Sequence, residues 1–320
     1  MRSARRLIAA LALAALCAPG TFLRTEVSGE MPRDIALEQI AGPSATGSAD
    51  WKVAGIWQYE ASSRNFGGYS ALLTLSSNRL RAFSDRGTRF TFIEPDQPRE
   101  TAEERVVSAQ VVQRDYAREL WDIESATRDP ATGAYWLGYE HVHAIHRFTV
   151  GSVTDGLRDL SDEVDWYENA GAEAMLRLAD GRFIVIPEGN DEALLFASDP
   201  VEQVKPETFT FINPARSYAV TDLAQLPDGR VLLLMRNVEW GFPPFAGLIA
   251  IAEPPVADAE WRPEITLRFD NAIPRENYEG LAVRALEDGR IAVWVIADDN
   301  FSVIQRNLLV KLLFDPSVRP

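Results

Sequence analysis

From residue 70 onward the chain alternates short apolar runs with polar turns, and three stretches repeat one pattern: EAMLRLADGRFIVIP from Glu173, DLAQLPDGRVLLLM from Asp222 and EGLAVRALEDGRIAVWVI from Glu279. In each, an acid opens a short apolar strand, Asp-Gly reverses the chain (Asp180-Gly181, Asp228-Gly229, Asp288-Gly289), and Arg leads into a second apolar run. Asp-Gly between two such runs predicts a tight β-hairpin. Two looser copies open at Ser70 (SALLTLSSNRLRAFSD) and Glu124 (ESATRDPATGAYWLGYE). The opening positions 70, 124, 173, 222 and 279 recur about every 52 residues, the period of a propeller blade of four short strands.

Dividing the roughly 300 residues that remain after an export signal by this period predicts an all-β chain. Its expected form is a single six-bladed β-propeller of four-stranded antiparallel blades over residues 35–320. The sixth blade is expected from the two ends, Ile35 to Glu60 pairing with Leu308 to Phe314, which closes the ring and removes exposed sheet edges. A pair of β-sandwiches is the alternative, but sandwiches impose no fixed period. The stretch Pro98 to Val112, with Glu100, Glu103, Glu104 and Arg105, reads as a helical insertion between blades.

At the N-terminus, Arg2, Arg5 and Arg6 precede the apolar run Leu7 to Cys17, followed by Ala18-Pro19-Gly20. This is the pattern of a secretory signal peptide, residues 1–20, with 21–34 as a linker. The run is too short to span a bilayer, and no longer apolar stretch follows, so no transmembrane segment is expected and the protein is placed in the periplasm or outside the cell. Arg5-Arg6 alone does not make a twin-arginine signal, and Leu16 before Cys17 is bulky where a lipidation site needs a small residue, so lipoprotein anchoring is the less favoured reading.

Cys17 is the only cysteine, which excludes a structural disulfide, a Cys nucleophile and a Cys-ligated zinc in the mature chain. The net charge of −15 becomes −18 once the three Arg of residues 1–20 are lost. A chain so acidic is not expected to bind nucleic acid, whose phosphates need a basic face. Cations, or ligands bridged by cations, suit it better.

Superimposing the repeats brings Ser70, Glu124, Glu173, Asp222 and Glu279 to one height. The far ends of the return strands add Asp85-Arg86, Glu140, Glu188, Arg236-Asn237 and Asp298-Asp299 beside them. Both rings then face one mouth of the central channel, where clustered carboxylates call for a hard cation or raised pKa values. An acid at the start of each blade also has a plainer role, accepting loop N–H groups. The double acid Asp298-Asp299 and the Asp85-Arg86 pair break the symmetry and are the stronger candidates for chemistry.

His141, His143 and His146 all lie in EHVHAIHRF, and as a strand this segment puts His141 and His143 on one face, a possible transition-metal pair with Glu140 or simply polar surface. Gly68-Tyr69-Ser70-Ala71-Leu72 lacks the second glycine of a nucleophile elbow. Metalloprotease, phosphate-loop and dinucleotide-binding glycine motifs are absent. Glu239-Trp240-Gly241-Phe242-Pro243-Pro244-Phe245 is a stiff aromatic loop, either the rim of a pocket or a plug over a blade edge.

Ser84-Asp85-Arg86-Gly87, Asp122-Ile123-Glu124, Asn277-Tyr278-Glu279-Gly280-Leu281-Ala282 and above all Ala297-Asp298-Asp299-Asn300-Phe301 with Gln305-Arg306-Asn307-Leu308-Leu309 resemble the phytase-like propeller family named for the esterase-like activity of phytase. The resemblance runs from about residue 50 to the C-terminus. It implies a secreted propeller hydrolase of ester or phosphoester bonds, assisted by Ca2+. Glu124 is followed by Ser-Ala and Glu173 by Ala-Met where the family has Gly-Leu.

Within that scheme Asp85, Arg86, Glu124 and Asp299 are the expected catalytic residues, Arg236 and Arg306 bind substrate, and Glu173, Glu279 and Asp298 hold the metal. The expected partner is a small-molecule ester or phosphoester, and the expected state is monomeric. Only Lys52, Lys205 and Lys311 supply lysine charge, so a polyphosphate would need several cations. A periplasmic ligand-binding or scaffold propeller without turnover is the alternative, and a quinone-dependent oxidoreductase ranks third.

Overall fold

The computed structural model describes residues 35–63, 66–97, 106–111, 122–166, 171–189 and 192–318. The expected signal peptide, linker and Cys17 lie outside these residues. Among the described residues the chain is β-strand and turn, with one short 3-10 turn at Pro200–Glu202, and no helix is long and apolar enough to cross a membrane.

The strands form five sheets, not the six expected. Blade 1 comprises Tyr69–Leu75, Arg79–Ser84, Thr88–Ile93 and Val106–Val111. Blade 2 comprises Ile123–Arg128, Tyr135–Tyr139, Ala144–Phe148 and Thr154–Asp159. Blade 3 comprises Ala174–Arg177, Phe183–Ile186, Glu192–Phe196 and Glu207–Phe211. Blade 4 comprises Ala219–Gln225, Val231–Val238, Phe245–Ala252 and Glu264–Arg268. Blade 5 takes Asn277–Ala285, Ile291–Asp298 and Asn307–Phe314 from the C-terminal part and Trp51–Glu60 from the N-terminal part, with Ala36–Ala41 beyond.

The two ends pair as expected, Asn307 opposite Tyr59 through Phe314 opposite Trp51. They do not make a blade of their own. They are the outer strands of the blade whose inner hairpin opens at Asn277, so five hairpins correspond to five blades. The division by length gives the two ends a unit of their own, whereas Trp51–Glu60 and Asn307–Phe314 complete the sheet that opens at Asn277. The connection after Ile93 differs from expectation too: Val106–Val111 of the supposed helix is the outer strand of blade 1, and residues 98–105 lie outside the described residues.

The Asp-Gly-Arg turns have a local cause. Gly181, Gly229 and Gly289 take φ of 94°, 98° and 85°, open to glycine at little cost. One oxygen of each preceding Asp accepts the N–H of the following Arg (3.0, 3.1 and 3.0 Å), while the other pairs with that Arg side chain.

Five apolar clusters lie between successive blades, including one between blades 4 and 5 and one between blades 5 and 1. Each inner hairpin feeds two of them by period-two alternation: Phe183 and Val185 pack toward blade 2, Ile184 and Ile186 toward blade 4. Burial on both faces explains why strands such as Ile291–Asp298 read as unbroken apolar runs rather than alternating ones. At Gly280 a Cβ would stand 2.9 Å from the Leu72 backbone nitrogen, so blades 5 and 1 meet backbone to backbone there.

Leu308–Phe314 lies between Ile291–Asp298 and Trp51–Glu60, and four of its residues belong to the core between blades 4 and 5. Truncation after Asn307 is therefore expected to abolish soluble expression, because it exposes two strand edges and empties that core. Cooperative melting of the truncated chain at the full-length temperature is the opposite outcome.

Candidate functional site

A cavity of about 210 Å³ opens at the ends where the inner hairpins of all five blades converge, lined by Ser70, Asp85, Asp122, Glu124, Glu140, Glu173, Glu188, Arg236, Glu279, Asp298 and Asn300. Eight of these side chains are carboxylates, and one, Arg236, is cationic.

The backbone device that aims them is a β-bulge. In the first strands of blades 1, 2 and 5 the register shifts at Ser70, Glu124 and Glu279, each left without a cross-strand partner and turned into the cavity. In each blade, the residue two beyond the partner of the position after the bulge supplies the rim: Asp85, Glu140 and Asp298. Blade 3 supplies Glu173 and Glu188 from the matching places, beside the Ala174–Ile186 pair.

Blade 4 departs from the sequence alignment by one residue. Its register shifts between Val220 and Asp222, so the bulge falls on Thr221 and the rim residue is Arg236. Asp222 leaves the ring. It is buried at 1% exposure, and its carboxylate accepts the N–H groups of Leu223 (2.8 Å) and Leu281 (2.6 Å), tying blade 4 to blade 5. The plainer role holds for this acid. Asp222→Ala would strand two buried N–H groups at roughly 1–3 kcal/mol each. We expect a loss of about 3 kcal/mol, read as a lower urea midpoint, with any ligand response of the cavity retained.

Inside the cavity, burial raises the carboxyl groups first and their mutual repulsion adds to it. Burial pushes the Glu124 carboxyl well above the usual range, and Glu173, Glu279, Asp122 and Glu140 reinforce it. Glu173 is raised for the same reasons, by burial first and then Glu188 and Glu279, against the opposing pull of Arg236. Asp298 is raised by burial, then by Glu279 and Asp85. Glu279 is raised by burial but eased by Arg236 and by the Asn277 amide, which donates to it at 2.8 Å and reaches Asp298 at 3.4 Å. Burial works against the Arg236 charge, yet Glu279 (3.4 Å) and Glu173 and Glu188 (both 4.0 Å) hold its pKa above the ordinary value.

The expected catalytic and binding residues divide. Asp85, Glu124, Glu173, Arg236, Glu279 and Asp298 are brought together on the cavity wall. Asp299 is not. Its carboxylate turns the other way and accepts N–H from Gly68 (2.9 Å), Phe301 (3.1 Å) and the Asn307 amide (2.8 Å), binding the blade 5 loop to the start of blade 1. Arg86 lies over the Phe301 ring at 3.3 Å, and Gly68 is what lets that ring approach, since a Cβ there would stand 2.3 Å from it. Arg306 pairs with buried Glu276 at 2.6 Å, off the cavity wall.

Asp122 was missed as a site residue. It takes φ 76°, a conformation Asp tolerates, and the Asp122-Ile123-Glu124 motif was the one signal in the sequence that pointed to it. It lies 2.8 Å from His141 Nε2, and Asp122, Glu140 and His141 bring one ligand atom each within 4.8 Å of one another. The other histidines do not join them. Residues 140–143 form a turn, not a strand, so the alternation expected for His141 and His143 does not apply. His143 stands edge-on to Trp166, and His146 is buried against Tyr139 and Phe148 with its pKa lowered to about 4 by that burial.

A family model described as Phytase-like, esterase-like activity of phytase, matches residues 64–301. Among solved structures, a luciferin-regenerating enzyme is 10% identical with a TM-score of 0.45, the alignment covering 89% of this chain and 97% of that one. A protein from Lactobacillus plantarum is 12% identical with a TM-score of 0.37, covering 83% and 79%. No curated protein sequence matches the chain.

Proposed function

Because the chain belongs to the phytase-like family, described by the esterase-like activity of phytase, we propose that it is a hydrolase of a small-molecule ester or phosphoester, assisted by a divalent cation at the acidic mouth of its channel. The observation that carries this reading is the convergence of eight carboxylates and one guanidinium from all five blades on one cavity. From the export signal read in residues 1–20 we take this activity to lie in the periplasm or outside the cell, and we take the protein to act as a monomer.

The donor set fits a hard cation such as Ca2+: it is all oxygen, and Arg236 alone cannot balance eight carboxylates. Glu173, Glu279 and Asp298 are the residues we assign to hold it. When bound, the cation supplies Lewis acidity to the carbonyl or phosphoryl oxygen and acidifies an adjacent water.

Glu124 faces this group from blade 2, and the charges that bear on it most are other carboxylates. In our scheme it accepts a proton from the attacking water as the new oxygen–carbon or oxygen–phosphorus bond forms. Arg236 stabilises the negative charge that develops on the substrate oxygen. As the ester bond breaks, the proton taken up by Glu124 passes by way of the Asp85 carboxylate to the leaving alkoxide, giving an acid and an alcohol and restoring both groups. Arg86 and Asp299 serve as positioning residues, fixing Phe301 and Gly68 beside Asp85. Arg306, its charge taken up by Glu276, is left outside the reaction.

The test is turnover of p-nitrophenyl acetate, p-nitrophenyl phosphate and bis(p-nitrophenyl) phosphate by the pure protein. Release of p-nitrophenol in millimolar Ca2+, lost in chelator and lowered at least a hundredfold by Glu124→Gln, is the expected result. No turnover of any of the three, together with Ca2+ binding, would replace this reading with a ligand-binding propeller.

A further inference from the structure

Two loops on the mouth side expose apolar side chains that nothing in the hydrolytic scheme uses. In blade 4 the strands Val231–Val238 and Phe245–Ala252 stay paired two residues past Arg236, to Val238 opposite Phe245, so their hairpin tip projects beyond the cavity rim. Val238 and Phe242 are exposed there, and Trp240 fully so, at 102%. The aromatic loop is thus no plug. In blade 5 the connection after Asp298 exposes Ile304 and, at 102%, Val303.

The two loops are neighbours. Arg275 donates to the Pro243 carbonyl at 3.1 Å, and the next residue, Glu276, pairs with Arg306 at the end of the second loop. Trp240 follows the cavity residue Arg236 by four positions and Val303 follows Asn300 by three, so they stand within about 14 and 11 Å of the wall at full extension.

Side chains this exposed form no pocket, and a single small ligand cannot bury them. Only a medium that surrounds them can, and Trp is suited to the apolar–polar boundary of a lipid layer. The cavity behind them holds eight carboxylates against one guanidinium, whose repulsion from an anionic surface a cation bound there would offset; the loops themselves add no further free acid. Arg275 is exposed and has no ion-pair partner among the described residues. Glu239 is half-buried and receives the Tyr218 hydroxyl, while Asp299 is buried under three donors. Neither loop therefore sets a free carboxylate against an anionic surface.

We propose that Trp240, Phe242, Val303 and Ile304, with Arg275 beside them, seat the mouth on a lipid–water interface bearing anionic headgroups. The docking stands on this surface alone. Its corollary, that the ester hydrolysed is carried by a lipid, rests on the hydrolase reading above.

Co-sedimentation of the full mature chain with vesicles of phosphatidylcholine and phosphatidylglycerol, 7:3, in Ca2+ and in chelator, tests it. The protein should pellet, and Trp240→Ala/Val303→Ser should raise the lipid needed for half-binding at least tenfold with an unchanged melting temperature. Arg275→Ala should weaken binding to these vesicles but not to pure phosphatidylcholine. Wild-type protein left in the supernatant at millimolar lipid, or pelleting equally with the double variant, overturns the proposal. So does concentration-dependent dimerisation that the double variant abolishes without any vesicle binding, which would make the occupant a second copy. A water-soluble short ester separates the two claims. If nothing turns it over, the hydrolase reading fails while sedimentation still decides the docking.

Discussion

Ca2+ at about a hundred times its dissociation constant is expected to stabilise the fold by roughly 2.7 kcal/mol over chelator, raising the melting temperature by about 5 °C. The cavity itself supplies the reason. Eight carboxylates share it with one guanidinium, and burial with mutual repulsion raises Glu124, Glu173 and Asp298 well above the ordinary range. Without a cation the native state keeps that repulsion, which the unfolded chain escapes. Glu173→Gln should therefore be more stable than the wild type in chelator, by about 1 kcal/mol, and should show a much smaller Ca2+ shift, as expected of a residue kept for binding at a cost in stability. Calorimetry of both proteins in both conditions checks this. A wild type indifferent to Ca2+ would leave the acids without a cation to hold.

Replacing Arg236 by Ala is expected to have the opposite sign and the larger size. Its guanidinium lies within 4.0 Å of Glu173, Glu188 and Glu279, and removing one partner of a buried charge cluster commonly costs 3–5 kcal/mol. Arg236 is part exposed, so solvent screening lowers the expectation to about 3 kcal/mol in chelator. Ca2+ should restore part of the loss, because the ion and the guanidinium relieve the same repulsion. Turnover, if the hydrolase reading is right, should fall at least a hundredfold and should not recover with Ca2+, since the added ion does not replace a donor aimed at the substrate oxygen. Melting curves and rates for Arg236→Ala, with and without Ca2+, separate these two contributions. A variant as stable as the wild type in chelator would show that the cluster is not under the strain described.

The hairpins were legible because their causes are local. Asp180-Gly181-Arg182 and its two counterparts carry the positive φ, the accepting carboxylate and the pairing Arg within three residues. The repeat of apolar runs likewise follows from burial on both faces of each inner strand, so the propeller architecture and most of the acidic mouth could be read from spacing alone. Glu140 and Glu188 were placed in the rim by the same counting.

What counting residues could not locate was where each strand slips. Taken as the acid that opens its repeat, Asp222 groups with Glu124 and Glu279; the bulge in blade 4 falls instead on Thr221, and a one-residue difference in register sends a side chain to the other face. The neighbouring acids Asp298 and Asp299 illustrate the same rule, one on the cavity wall and the other buried under three donors from two blades. The sheet that the two ends join was likewise decided by pairing between residues about 250 positions apart, Asn307–Phe314 against Trp51–Glu60. Period, turn chemistry and charge are properties of short segments, and the sequence by itself determined those. Which acid faces water, which grips a neighbouring backbone and which sheet the two ends join depend on register between distant strands, and only the tertiary structure decides that.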